Sequence, residues 1–337
     1  MIKIIIQINT NDYKKGEFHM KHVLVTLPVK ESHKAKIEKA LSGCSFTYTT
    51  INDATEEMIK DAEIILGNVP AGKIKASEKL ELLQLNSAGA DAYIKPGILS
   101  AKTILCNATG AYSKAVSEHT LAAGLMLQKK LHLYRDLQNK AEWVDEGPIT
   151  SITDATVLVV GLGDIGLHFA KMCKALGAHV IGVKRRLSEC PEEVDELYLT
   201  EQLDELLPRA DFIASFLPGT KATYHIYTAE RFKLMKKTAI FLNSGRGDAV
   251  ESSVLYNALS EGDIYAAAID VTEPEPLPSE SPLWKLPNLL ITPHISGKFH
   301  LAETFETIVD IACFNGAAYL NGTALKNVVD FETGYKK

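Results

Sequence analysis

Apolar runs rich in β-branched residues alternate with stretches of helical period along most of the chain, from His22-Val23-Leu24-Val25 onward. That alternation is the mark of βα units feeding a parallel sheet. In the first third, strands are expected at His22 to Pro28, Ser45 to Thr50, Glu63 to Asn68, Leu82 to Asn86 and Thr103 to Cys106. Helical patterns run from His33 to Leu41 and from Ala54 to Asp61 between them. A second and stronger series comprises Val157 to Val160, Val180 to Val183, Phe212 to Phe216, Ala239 to Asn243, Ala266 to Val271 and Leu289 to Thr292. These runs are continuously apolar, as in strands covered on both faces. Two long helical patterns, Ser113 to Leu133 and Leu301 to Tyr319, bracket this series. A helix leaving one sheet and a helix returning to it predict an α/β chain of two parallel-sheet lobes. The first lobe is discontinuous, residues 20–115 plus 300–330, and the second, residues 116–299, is inserted into it. The cleft between the lobes is the default site. The polar segment Asn139 to Asp154, which carries Trp143 and Pro148, reads as a linker or dimer-contact loop.

Composition narrows the function classes. The 337 residues hold 36 Lys and Arg against 42 Asp and Glu, a net charge of −6. No basic surplus exists to displace counterions from phosphates, so a dedicated nucleic-acid binder is excluded. Cys44, Cys106, Cys173, Cys190 and Cys313 are scattered and form no C-x-x-C pair, which points away from disulfides and zinc and toward a reducing cytoplasm. No apolar run approaches the roughly 20 residues that span a bilayer, so no membrane association is expected. Residues 1–19 read as an extension before the native start. Codons for Lys14-Lys15-Gly16-Glu17 can contain a purine-rich ribosome-binding sequence, which predicts translation from Met20 in a bacterium.

Gly161-Leu162-Gly163-Asp164-Ile165-Gly166 fits G-x-G-x-x-G between a predicted strand and the helical pattern Leu167 to Leu176. The first glycine permits a tight turn, the second lets a pyrophosphate approach the backbone, and the third lets helix and strand pack closely. The inserted lobe is therefore read as a Rossmann lobe binding a nicotinamide dinucleotide. The next strand ends in Lys184-Arg185-Arg186, where an NAD-specific protein places an acid to accept from the ribose 2′-OH. An arginine fork there binds a 2′-phosphate instead, so a preference for NADP over NAD is predicted.

Three motifs follow, each at the end of a predicted strand: Asn243-Ser244-Gly245-Arg246-Gly247, Asp270-Val271-Thr272-Glu273-Pro274-Glu275-Pro276, and Thr292-Pro293-His294-Ile295-Ser296-Gly297. An arginine, a carboxylate and a histidine are what a reductase of 2-oxo acids needs from its protein. The arginine binds the substrate carboxylate, the histidine gives the proton that becomes the hydroxyl hydrogen, and the carboxylate orients the imidazole. The cofactor carries the hydride.

These strings resemble the D-isomer-specific 2-hydroxyacid dehydrogenase family from Met20 to about Val329. The resemblance implies a catalytic triad of Arg246, Glu275 and His294, with His294 as proton donor in reduction. It implies that Asp270 holds the nicotinamide carboxamide, that Ser244 to Arg246 line the nicotinamide pocket, and that Pro218 and Thr223 flank the cofactor. Asp164 and Ile165 sit at the pyrophosphate turn, and Gly297 joins the cofactor-binding set. The loop Asn86-Ser87-Ala88-Gly89-Ala90-Asp91 resembles the family's small-residue loop, so Ser87, Ala88 and Gly89 are expected to hold the substrate carboxylate alongside Arg246 and His294. His119, in Val116-Ser117-Glu118-His119, is read as structural, and His168, His179 and His225 receive no role. Glutamate at 275 argues against the formate dehydrogenase branch, which has glutamine there. The chain ends shortly after the return helix, so the regulatory domain of many phosphoglycerate dehydrogenases is expected to be missing. The family also implies a flavodoxin-like first lobe and a homodimer through the long connecting helix and the Trp143 segment. A rival expectation is a dinucleotide-sensing binding protein of the same fold with little catalysis.

Overall fold

A computed structural model describes residues 19–75, 77–186, 188–332 and 334. The extension before the expected start, apart from His19, lies outside the described residues. The first sheet consists of β1 (His22–Val25), β2 (Ser45–Tyr48), β3 (Ile64–Leu66), β4 (Leu82–Gln84) and β5 (Ile104–Cys106), connected by α1 (Glu31–Ala40), α2 (Glu56–Asp61) and α3 (Ala71–Ile74). All its pairings are parallel and its order is β2-β1-β3-β4-β5, the flavodoxin-like arrangement expected. Val23, Val25 and Ile64 point to one face, while Leu24, Ile65 and Leu83 point to the other.

Two helices then lead to the second sheet: α4 (Ser113–Gln128) and α5 (Leu131–Asn139). The sheet itself contains β6 (Thr156–Val160), α6 (Asp164–Ala175), β7 (His179–Lys184), β8 (Glu196–Leu199), α7 (Leu203–Leu206), β9 (Phe212–Ser215), α8 (Ala229–Leu234), β10 (Ile240–Asn243), α9 (Ser252–Ser260), β11 (Ala266–Ile269) and β12 (Leu289–Ile291) in chain order. Its spatial order is β12-β11-β10-β9-β6-β7-β8, and every pairing is again parallel. Both faces are apolar. Leu158, Val160, Ile213 and Phe241 pack on one side, and Val157, Val159, Phe212 and Leu242 on the other.

The chain finally returns through α10 (Ala302–Leu320) to the first sheet. Ile308, Val309 and Ala312 pack there with Val23, Ile37 and Leu66. His33 bonds Glu306 at 2.8 Å and Lys114 bonds Glu303 at 2.7 Å, tying α10 to α1 and α4. Beyond α10, Val328 forms an antiparallel bridge with Cys106 on β5.

Two expectations need correction. The helical pattern from Ser113 to Leu133 is not one helix: the backbone turns left-handed at Lys130, with φ of 56°, and restarts as α5. A seventh strand, β8, follows Asp195 where no strand was expected: Glu196-Leu197-Tyr198-Leu199 opens on a charged residue and has no fully buried position. It lies at the sheet edge, where a continuous apolar run is not required. Among the described residues no helix is long and apolar enough to cross a membrane.

Candidate active site

The second sheet changes direction at β6, with β7 on one side and β9 on the other. Open parallel sheets receive ligands outside the carboxyl ends of their strands at such a point. Each motif lies there: residues 161–166 follow β6, 216–223 follow β9, 243–247 follow β10, 270–275 follow β11 and 292–297 follow β12.

Gly161 has φ of +102°, and a side chain on it would meet the Phe216 carbonyl oxygen at 2.9 Å. A Cβ on Gly166 would lie 2.1 Å from the Gly161 oxygen, so α6 starts close against the turn. Space in front of Gly163 is open to at least 4 Å. An open backbone turn at the N-terminus of a twelve-residue helix fits a dinucleotide pyrophosphate. Asp164 is exposed at the first helical position, and Ile165 packs against the first lobe's apolar cluster. Lys184 donates to Ser188 Oγ at 2.8 Å, while Arg185 and Arg186 are exposed at the end of β7. The Thr223 hydroxyl donates to the Pro218 carbonyl at 2.6 Å, so Thr223 braces the loop that carries Pro218.

Arg246 stands between two glycines whose absent side chains are required. A Cβ on Gly245 would meet the Leu217 oxygen at 2.6 Å, and one on Gly247 would meet the Thr272 oxygen at 2.0 Å. Close packing against two neighbouring loops therefore sets the path of the arginine. Its Nε donates to Asp91 Oδ2 at 2.9 Å and its Nη1 to the Gly245 carbonyl at 2.9 Å. A Cβ built on Gly89 would sit 1.7 Å from Nη2, so the guanidinium lies directly on the small-residue loop of the first lobe. Within that loop Ser87 Oγ donates to the Gly89 carbonyl at 2.7 Å, and the Ala88 carbonyl accepts from Asn107 at 2.8 Å.

His294 Nδ1 lies 2.6 Å from Glu275 Oε1. The ionised carboxylate only accepts, so Nδ1 carries the hydrogen and Nε2 is left for a ligand. Both side chains are close to half exposed, at 47% and 43%. His294 has φ of 51°, held by bonds from its N–H to the carbonyls of Asp270 at 2.8 Å and Thr292 at 3.0 Å. Asp270 itself is buried. Its Oδ1 accepts from Thr292 Oγ1 at 2.6 Å and Ile295 N at 2.9 Å, and its Oδ2 accepts from Ser296 N at 3.0 Å and from the Ser296 hydroxyl. The carboxylate thus organises the loop that presents His294. Ser244 Oγ is 2.8 Å from Thr120 Oγ1, and a Cβ on Gly297 would lie 3.4 Å from the Tyr112 ring.

Sequence reasoning missed three members of this cluster. Asp91 stood in the quoted loop string without a role, yet it holds Arg246 across the cleft. His225, with φ of 49°, contacts Glu273 at 2.5 Å, so Glu273 and Glu275 of one loop are each paired with a histidine. Asp248 follows Arg246 and Gly247; burial, with Glu273 and Asp91 close by, raises its carboxyl above the ordinary value. Nothing in local spacing marks these partners, because they come from distant strand ends. Among the described residues no group of His, Cys, Asp and Glu is placed to hold a metal ion.

The chain matches known proteins over this whole arrangement. Residues 121–296 match the profile described as D-isomer specific 2-hydroxyacid dehydrogenase, NAD binding domain. A glyoxylate/hydroxypyruvate reductase B of Escherichia fergusonii is 30% identical over 302 residues, covering 85% of this chain and 92% of that protein. The crystal structure of a D-isomer specific 2-hydroxyacid dehydrogenase family protein from Aeromonas salmonicida superposes with a TM-score of 0.81 at 31% identity, covering 93% of this chain and 99% of the other. An NADPH-dependent glyoxylate/hydroxypyruvate reductase from Sinorhizobium meliloti, solved with NADP and sulfate, gives a TM-score of 0.80 at 25% identity over 94% and 100% of the two chains. On this identity and coverage, the chain belongs to the D-isomer-specific 2-hydroxyacid dehydrogenase family.

Proposed function

We propose that the protein reduces a small 2-oxo acid to its D-2-hydroxy acid with a nicotinamide dinucleotide. The observation that carries this reading is that an Arg246 seated on the small-residue loop and a Glu275–His294 pair both lie past the strand ends of one sheet that also carries a dinucleotide turn. When bound, the dinucleotide supplies the hydride. Arg246 and the backbone of Ser87, Ala88 and Gly89 hold the substrate carboxylate. In reduction the His294 ring acts as imidazolium: its Nε2–H gives the proton to the forming alkoxide and leaves the neutral ring with hydrogen on Nδ1, while Glu275 accepts from Nδ1–H and balances the ring's charge. Gly161, Gly163, Asp164, Ile165 and Gly166 seat the pyrophosphate, Pro218 and Thr223 flank the dinucleotide, and Ser244, Asp270 and Gly297 shape the nicotinamide end.

NADP is the preferred cofactor in this reading. Two observations support it: Arg185 and Arg186 are exposed at the end of β7, and the Sinorhizobium meliloti relative was solved in complex with NADP. Residues 20–115 plus 300–330 form the substrate lobe, residues 116–299 the cofactor lobe, and the protein works as a cytoplasmic homodimer. The fully exposed Trp143, with Leu131, Val144 and Ile149 exposed nearby, supplies an apolar contact surface for the second copy.

The test is a screen of glyoxylate, hydroxypyruvate, pyruvate, phenylpyruvate and branched 2-oxo acids with NADPH and NADH. The expected result is oxidation of NADPH with at least one acid, and a higher kcat/KM for NADPH than for NADH. His294→Ala should lower turnover by about 100-fold or more while dinucleotide still binds. Absence of oxidation across the panel refutes the activity, and a preference for NADH refutes the cofactor assignment.

A further inference from the structure

Tyr112, Val116, His119 and Thr120 are spaced so that they share one face at the start of α4. That face meets the loops bearing all three proposed substrate-handling groups. The Tyr112 hydroxyl donates to the Asn86 carbonyl beside Ser87, and Val116 lies 3.4 Å from the Cβ position of Gly297. Thr120 Oγ1 is 2.8 Å from Ser244 Oγ, two residues before Arg246. His119 Nε2 is 3.1 Å from Thr292 Oγ1, two residues before His294.

The hydrogen positions in the last contact follow from counting. Thr292 has one hydroxyl hydrogen, and it points to Asp270 Oδ1 at 2.6 Å. Asp270 takes three further donors from Ile295 and Ser296, so it is an acceptor throughout. Thr292 Oγ1 must then accept from His119, whose Nε2 carries a hydrogen. The result is a directed chain from the His119 ring N–H through the Thr292 hydroxyl to the Asp270 carboxylate. The same Asp270 fixes the left-handed turn at His294 through its backbone carbonyl.

We propose that His119 is a positioning residue for proton transfer, setting the 292–297 loop and hence the aim of His294 from the helix that also anchors the Arg246 loop. A helix held in both lobes is suited to this task. Val116 packs in the first lobe's core, while Ala123 and Leu127 pack in the second's. The assignment rests on the reading of His294 as proton donor. Misplacing a reacting group by about 1 Å can cost about 100-fold in rate, so a brace of this kind is felt in turnover before it is felt in binding.

The experiment is a double-mutant cycle of His119→Leu and Thr292→Val, with His119→Gln and His294→Ala alongside. We expect each single variant to lower kcat by about 10- to 100-fold, with dinucleotide Kd and Tm close to those of the parent. The double variant should lose no more than the worse single one, because both remove the same chain of hydrogen bonds. His119→Gln, which can donate an N–H from a similar place, should recover most of the turnover lost in His119→Leu. Additive losses, unaltered turnover in His119→Leu, or a loss matched by falling folded fraction would each overturn the inference. Unaltered turnover in His294→Ala would instead overturn the proton-donor reading, which keeps the two failures distinguishable.

Discussion

Arg246 is held by what its neighbours lack as much as by what they provide. Gly245 and Gly247 let it thread between two loops, Asp91 fixes its Nε, and Gly89 leaves room for its Nη2. Gly89→Ala tests that arrangement with a single methyl group. Its Cβ position lies 1.7 Å from Nη2, so the end of the arginine has to shift off the loop against the 2.9 Å bond that its Nε makes to Asp91. The expected outcome is a rise in KM for the oxo acid and a fall in kcat/KM of about 100-fold, with dinucleotide Kd unchanged. Normal steady-state kinetics for this variant would show that the guanidinium has freedom the structure does not indicate. Arg246, Glu275 and His294 could be singled out in the sequence because their motifs follow recognisable strands and resemble a known family's. Asp91 was not, since it lies 155 residues from its partner and only the fold brings them together.

Strands were legible wherever both faces are covered, because burial on two sides writes an unbroken apolar run. The inner strands follow that rule, whereas β2, β8 and β12, all at sheet edges, have no fully buried position, and of these β8 alone went unexpected. Polar contacts at the sheet edge add to its ladder with β7 and the packing of Leu197 and Tyr198. Glu196 accepts from Arg209 at 2.5 Å and Tyr198 at 2.6 Å, and contacts His179 at 2.7 Å. Led by the Arg209 bond, these hold the Glu196 carboxyl at about 2, below its ordinary 4.5. A folded value below the unfolded one means stabilisation that is complete above about pH 4.5 and lost as pH falls toward 2. Because the group is partly exposed, its worth is discounted to about 1 kcal/mol. Glu196→Gln should therefore be less stable than the parent in urea at pH 7, with the gap closing in acid. A gap independent of pH would assign the difference to packing. The break between α4 and α5 had no such signal, since Gln128-Lys129-Lys130 contains neither glycine nor proline. Lys130 reaches the Glu146 carbonyl, a tertiary contact that helical periodicity cannot announce.

At the scale of the whole molecule, the substrate loop depends on the far end of the chain. Buried Asn315 on α10 donates to Gln84 Oε1 at 2.6 Å and to the Lys326 carbonyl at 2.9 Å, and it accepts from Lys326 N at 2.8 Å. Gln84 donates to the Asn107 carbonyl at 3.2 Å, and the Asn107 side chain donates to the Ala88 carbonyl at 2.8 Å. A path of amide hydrogen bonds thus runs from the returning segment through β4 to the loop against which Arg246 lies. The bracketing helices made the discontinuous lobe readable, but not this network, because its members are scattered asparagines and glutamines outside any periodic pattern. Asn315→Ala would leave buried groups on Gln84 and Lys326 unpaired, at a cost of about 2–3 kcal/mol. Hydrogen exchange should accelerate at Leu82–Gln84 and Ile104–Cys106 while the strands from Thr156 to Ile269 keep their protection. KM for the oxo acid should rise as the Ala88 loop loosens, and dinucleotide Kd should hold. Equal loss of protection in both sheets would mean that the two lobes unfold as one cooperative unit and that the network serves the whole molecule.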